Sequence, residues 1–150
     1  MSDTKQELLD ACMNYVEERL GKIDAAIKDL EDALKLETKC SMGDKYETGR
    51  AMLHLEFEKL SVQHEQYQKL RKTVRMIDPK VTLQKAGFGA VVETDVAHYF
   101  IAIPAGEIIL KEGKYYAVGA GAPIARALEG AKEGEEVNFN GKKMTVTRIL

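Results

Sequence analysis

Two carboxylates three residues apart, Asp44 and Glu47, are the side chains of this sequence whose type and spacing best suit chemistry. They stand in Gly43-Asp44-Lys45-Tyr46-Glu47, and oxygen donors presented together can hold a hard divalent cation. The same spacing is that of a helix capping box, in which each side chain satisfies a free backbone N–H. The two readings are compatible, because a cap also holds both carboxylates in place. Glu37 could add a third carboxylate or simply stand solvated. His54, His64 and His98 have no partner His or Cys at ligand spacing, and no Ser-His-Asp, Cys-His, Walker or dinucleotide pattern is present. Cys12 and Cys40 are too few for a disulfide framework or a zinc finger, and ~40 Å of helix would separate them. Lys69, Arg71, Lys72 and Arg75 form a basic run that reads as a solvated helix face, with phosphate contact as the alternative.

The carboxylate pair needs elements to present it, and the flanking segments supply them. Thr4-Lys5-Gln6-Glu7 is a helix start signal. Val16, Leu20, Ile23, Ile27, Leu30 and Leu34 then follow at steps of 4, 3, 4, 3 and 4, a heptad seam. A second seam runs Leu53, Phe57, Leu60, His64, Tyr67, Leu70, Val74, Ile77, until Asp78-Pro79 stops it. In an antiparallel hairpin, facing positions share one index sum. Leu34 with Leu53, Leu30 with Phe57, Ile27 with Leu60, Ile23 with His64 and Leu20 with Tyr67 all add to 87. The turn therefore falls within residues 40–48, where Cys40-Ser41-Met42-Gly43-Asp44 is richest in turn chemistry. At 1.5 Å per residue each arm is ~45–50 Å long.

The chain has 150 residues, 45% hydrophobic and 31% charged, so it can bury a real core and is not disordered. A net charge of −2 excludes global attraction to nucleic acid as a default. No apolar run reaches the ~18 residues of a membrane span, and a cytoplasmic protein is expected. Composition breaks at Asp78-Pro79: nine of the 12 Gly lie beyond it. Residues 1–78 carry 13 basic and 16 acidic side chains, residues 79–150 carry 9 and 8, so the acid excess sits in the helical part. Two domains are expected, a coiled-coil hairpin over 1–78 and a sheet domain over 79–150.

Residues 90–93, 98–103, 107–110 and 115–118 read as short strands between Gly or Pro punctuation. Pro123 opens a short helix through Leu128, which Gly130 ends. Residues 136–139 and 143–149 are strands joined by Asn140-Gly141, a hairpin signal. The fold class is α+β.

These residues resemble the bacterial Gre-type transcript cleavage and elongation factors. The most specific match is Ala122-Pro123-Ile124-Ala125-Arg126-Ala127-Leu128-Glu129-Gly130, similar to the family's Ser-Pro-Ile-(Gly/Ala)-Arg-(Ala/Gly)-Leu-x-Gly. An acidic-Gly turn, Glu133-Gly134-Glu135-Glu136, follows as it does there. The resemblance implies a small FKBP-like antiparallel sheet domain with one short helix, docking on RNA polymerase through Pro123, Ile124 and Arg126. The hairpin would enter the secondary channel and bring Asp44 and Glu47 to the active centre, matching the acids of Gly-Asp-x-x-Glu-Asn-x-Glu-Tyr. There they would help hold Mg2+, shared with the polymerase and not held by the free protein, close to the 3′ end of the nascent RNA. The protein would be no enzyme itself but an activator of cleavage by the polymerase, and a monomer. The flank departs from the family: Thr48 replaces Asn, and Arg50-Ala51 replaces Glu-Tyr.

The altered flank keeps a second class open, a non-cleaving regulator or inhibitor occupying the same channel. A prolyl isomerase would need a dense aromatic pocket, which scattered aromatics and the lack of Trp do not suggest. A coiled-coil scaffold would leave the Pro123–Gly130 match without a role.

Overall fold

The computed structural model describes residues 3–39 and 43–150, without the side chains at 37–39 and 43–48. Two long helices, α1 (Thr4–Lys39) and α2 (Gly43–Arg75), precede a strand-rich segment. Its elements are β1 (Val91–Thr94), β2 (His98–Ala102), β3 (Gly106–Leu110), β4 (Gly113–Gly119), α3 (Pro123–Leu128), β5 (Glu136–Phe139) and β6 (Lys142–Ile149). The chain is α+β, as expected. By packing it divides into two compact units: Val16–Arg71, and Met1–Tyr15 with Lys72–Leu150. The composition break at Asp78-Pro79 marks where the hydrophobic period changes; the packing division runs across both helices.

Within the helical unit the two seams face each other. Val16, Leu20 and Ile23 are buried, and Ile27, Leu30, Leu34, Leu53, Phe57, Leu60, Tyr67 and Leu70 are all partly buried while most positions between them are exposed. Glu17 meets Arg71 at 3.6 Å and Asp24 meets His64 at 3.0 Å, both pairs adding to 88, one step from the seam sum. The helices are therefore antiparallel, in the register that the apolar spacing demands. His64 sits at the seam as a half-buried polar residue whose Nε2 meets the Asp24 carboxylate, which is why it is tolerated there.

The helix start differs by one residue from the expected capping box. Glu7 N–H donates to the Asp3 carbonyl at 2.8 Å, so Asp3 holds the cap position and Thr4, itself buried, is already in the first turn. At the other end α2 stops at Arg75. The chain then tightens, with Ile77 N–H on the Val74 carbonyl, and Asp78 Oδ1 accepts from Lys80 N–H in a turn around Pro79.

The six strands form one sheet in the order β3-β4-β2-β1-β6-β5. All pairings are antiparallel except β2 with β4, so the expected antiparallel sheet is in fact mixed. The reason is topological: the β3–β4 hairpin folds back so that β4 enters between β2 and β3, which aligns it with β2. Asn140 and Gly141 both have positive φ, 51° and 78°, the conformation of a type I′ turn between β5 and β6.

A β-bulge lies between Glu93 and Thr94, where β1 meets β6. Val92 pairs with Ile149 and Thr94 with Val146, so two apolar residues three apart in β6 both reach one face. That face holds the core of Val92, Ile101, Met144, Val146 and Ile149 under Ile124, Ala125 and Leu128 of α3. The opposite face carries buried Val91, Phe100, Ala102, Tyr115 and Ala117. Buried Leu8, Leu9, Cys12, Val74 and Ile77 from the helix ends belong to the same unit. Lys5 Nζ donates to the Val81 carbonyl at 2.6 Å, tying α1 to the segment before β1.

Candidate functional sites on the helical pair and around the short helix

The acid pair belongs to the start of α2. The backbone of α2 is helical from Gly43, so Asp44 and Glu47 stand in its first turn, three apart and hence on one helical face by sequence position. Their side chains, and that of Glu37, lie outside the described residues, as do residues 40–42 of the expected 40–48 tip. Among the described residues no cluster of three or more His, Cys, Asp or Glu could hold a metal ion.

The short helix α3 is built as its sequence dictates. Ala122 is extended (φ −65°, ψ 148°), as a residue before Pro must be, and Pro123 occupies the first turn where its missing N–H costs nothing. Arg126 N–H closes the first helical bond on the Ala122 carbonyl at 3.0 Å. Gly130 takes φ 81°, and its N–H donates to the Ala86 carbonyl while Ala86 N–H donates to Ala131, both at 2.8 Å. Those two bonds fasten the end of α3 to the loop before β1.

This anchoring divides the three expected docking residues. Ile124 and Leu128 turn inward, 9% and 0% exposed, while Pro123 and Arg126 remain exposed. Pro123 and Ile124 form one wall of an open apolar cavity of about 360 Å³, completed by Tyr99, Tyr116, Val118 and Phe139. Tyr99 and Tyr116 are register partners on β2 and β4, with ring centroids 6.1 Å apart. Burial raises the Tyr99 phenol pKa, with the neighbouring Tyr116 adding to the rise. Sequence reasoning missed Tyr99, Tyr116 and Phe139, because only strand order brings residues from β2, β4 and β5 to one end of α3. The alternating apolar residues in these strands were the available signal.

A polar cluster occupies the opposite face. The Tyr115 hydroxyl donates to Glu93 Oε2 at 2.9 Å, and Arg148 Nη2 donates to the same oxygen at 2.7 Å. Burial alone would raise the Glu93 pKa, but the Arg148 and Tyr115 hydrogen bonds and the Arg148 charge outweigh it and hold the carboxyl below its ordinary value. The bulge makes this possible by turning Arg148 to the Glu93 side of the sheet. The His98 ring lies 5.2 Å from that of Tyr115. With Oε2 ion-paired to Arg148 and hydrogen-bonded to Tyr115, Glu93 is arranged as a structural bridge.

Within the basic run on α2, Arg71 pairs with Glu17, and Lys69 with Glu65 at 3.7 Å. No helix among the described residues is long and apolar enough to cross a membrane. No protein-family model matches the sequence, and no curated protein matches it. Among solved structures, that of the transcription factor Gfh1 is similar over 93% of this chain and 93% of its own, at 14% identity and a TM-score of 0.40.

Proposed function

We propose that this protein is a Gre-type regulator of RNA polymerase. The unit containing the sheet docks on the enzyme, the helical pair enters the secondary channel, and Asp44 and Glu47 promote cleavage of backtracked RNA at its 3′ end. The observation that carries this reading is the Ala122–Gly130 segment, the stretch most similar to the family. Its Ile124 and Leu128 secure the helix from inside, and Pro123 and Arg126 stay outward beside an apolar cavity. That division of labour is what a docking element requires. The antiparallel helices, with α1 ending at Lys39 and α2 beginning at Gly43, support it by placing the Gly43-Asp44 sequence where one arm gives way to the other.

The chain's own chemical contribution would be two hard oxygen donors, the ligand class that Mg2+ takes. Two carboxylates leave most of an octahedral shell to water, so the ion would be shared with the polymerase and not kept by the free protein. When bound, such an ion lowers the pKa of a coordinated water and supplies a nucleophile for phosphodiester hydrolysis. Asp44 and Glu47 act by position, since carboxylates fixed at the reacting phosphate gain far more than free ones in solution. The protein then activates another enzyme's reaction without turning over substrate itself.

RNA release from a stalled, backtracked elongation complex tests the reading. Wild type should accelerate release, and the Asp44→Asn, Glu47→Gln double variant should still bind polymerase yet lose the acceleration. Equal acceleration by both proteins reduces the acids to a helix cap. The non-family residues Thr48, Arg50 and Ala51 beside the acid pair favour one alternative, a non-cleaving occupant of the same channel. A wild type that competes with a channel-binding factor and never accelerates release assigns the protein to that alternative.

A further inference from the structure

Among the described residues of the unit that contains the sheet, five large apolar side chains are exposed. Three of them, Met76, Val81 and Phe88 at 74%, 48% and 39%, line one cavity of about 200 Å³. Ile77, Leu83 and Gly89 complete its apolar lining, and Lys5 and Asp78 are its charged members. Single exposed apolar residues are ordinary, whereas several around one cavity mark a contact surface. Hydrogen bonds fix the backbone that carries them. Val81 N–H donates to the Asp78 carbonyl at 3.2 Å, and the Val81 carbonyl accepts from Lys5 Nζ at 2.6 Å. Gly89, in the left-handed conformation (φ 87°), donates its N–H to the Ile101 carbonyl at 2.7 Å. The cavity is therefore formed before anything enters it, which lowers the cost of binding.

Charge around the cavity selects what enters it. Residues 72–89 contain Lys72, Arg75, Lys80 and Lys85 against Asp78 alone, in a chain of net charge −2. Arg75, Lys80 and Lys85 lie within two positions of a lining residue, and Lys72 lies one helical turn before Met76. All four are exposed, and among the described residues none takes part in an ion pair. Asp78 is already matched: its Oδ1 accepts from Lys80 N–H, and its charge acts on the Lys5 ammonium. We propose that this cavity docks an acidic segment of a partner protein, which inserts one large apolar side chain among Met76, Val81 and Phe88. Its carboxylates meet the surrounding Lys and Arg side chains. A purely apolar occupant would leave those cations unanswered. A polyanion without an apolar group, nucleic acid phosphates included, would leave the cavity open. Complementary charge speeds the encounter and excludes basic partners, and the buried apolar side chain supplies the hold. This contact is independent of the function proposed above.

Fluorescence anisotropy of a labelled peptide, Glu-Asp-Glu-Leu-Phe-Glu-Asp-Glu, titrated with the full chain tests the proposal. Wild type should bind with a dissociation constant on the order of 100 µM at low salt. Raising NaCl from about 50 mM to about 500 mM should weaken binding about tenfold. The same peptide with Ser-Ser in place of Leu-Phe should not bind, and one with Gln and Asn in place of its acids should bind about tenfold more weakly. Met76→Asp, which sets a carboxylate at the cavity rim, and the Arg75→Glu, Lys80→Glu double variant should each cost about tenfold or more. Lys28→Glu makes the same kind of charge change on α1 and should leave binding within about twofold. All these positions are exposed, so circular dichroism and melting should match wild type and separate a lost site from a lost fold. No binding by wild type up to about 1 mM overturns the proposal. So does a Ser-Ser peptide that binds as well as the parent, or binding that survives Met76→Asp. Single-stranded RNA or phosphatidylserine vesicles that bind more tightly than the peptide, and are lost on the same variants, overturn it in favour of that partner.

Discussion

Glu93 concentrates the electrostatics of the sheet in one carboxylate oxygen shared by Tyr115 and Arg148. Its pKa is held below the ordinary value of about 4.3, so its contribution is complete above that pH and is lost as pH falls through the folded-state value. Glu93→Gln should cost about 1–2 kcal/mol at pH 7, the lower part of the range for charged hydrogen bonds because Arg148 is half in water. The gap between the urea midpoints of the two proteins should begin to narrow as pH falls below the ordinary carboxylate value and close as it passes the lowered value of Glu93. Tyr115 carries the opposite sign. Burial first, then the Glu93 hydrogen bond and charge, push its phenol up to about 12. The neutral phenol therefore stabilises the fold below about pH 10, and that stabilisation disappears as pH rises towards 12. Ultraviolet titration should show a phenol ionising near pH 12 that is absent from Tyr115→Phe. Cys12 is inert for a related reason: burial raises its thiol to about 12 and leaves it 0% exposed. In a Cys40→Ser background, a thiol reagent at pH 8 should leave native protein unlabelled and label it fully once unfolded.

The helices and the terminal hairpin show the same contrast between positions at the scale of elements. Leu20 is 4% exposed on the α1 seam, whereas Leu55 is 66% exposed on the outer side of α2. Leu20→Ala should cost about 2–4 kcal/mol, and Leu55→Ala should stay within about 0.5 kcal/mol, both read from chemical denaturation. The sequence states this difference openly, since seam membership follows from spacing of 3 and 4 alone. The Asn140-Gly141 turn is equally legible, and its two positive φ values explain why those residue types stand there. Gly141→Ala introduces a Cβ at φ 78°, in open space but in a strained backbone, and should cost about 1 kcal/mol. β6 is where the pattern misleads. Strict alternation groups Arg148 with Met144 and Val146, but the bulge opposite β1 turns it away and brings in Ile149.

For the whole molecule, the compositional boundary and the packing boundary have different consequences. A fragment of residues 79–150 retains every strand and α3, and loses buried Leu8, Leu9, Cys12, Val74 and Ile77, which share its compact unit. It would also lose the bond from Lys5 to the Val81 carbonyl. Burying one large aliphatic side chain stabilises by about 1.5–3 kcal/mol, so losing four of them, about 6–12 kcal/mol, is comparable to the whole 5–15 kcal/mol net stability of a typical domain. The fragment should melt without a cooperative transition by calorimetry, in contrast to the full chain. Legibility of the candidate sites follows the same division. Asp44 and Glu47 were visible because they are neighbours in one segment, as were Pro123, Ile124 and Arg126. The cavity beside α3 was not, because Tyr99, Tyr116 and Phe139 come from strands that the topology alone gathers.

The sequence by itself determined the two helices, their antiparallel register, the six strands, the Asn140-Gly141 turn and the start of α3 at Pro123. Each depends on residues within a few positions of one another, or on one periodicity meeting another, and such information is written in local order. Tertiary structure alone decided that β4 lies between β2 and β3, that the helix ends belong with the sheet, and that Glu93, Tyr115 and Arg148 share one oxygen. Those arrangements join residues 22 and 55 positions apart in the chain. They are selected by which faces can be buried together, a property of the assembled surfaces that no window of sequence contains.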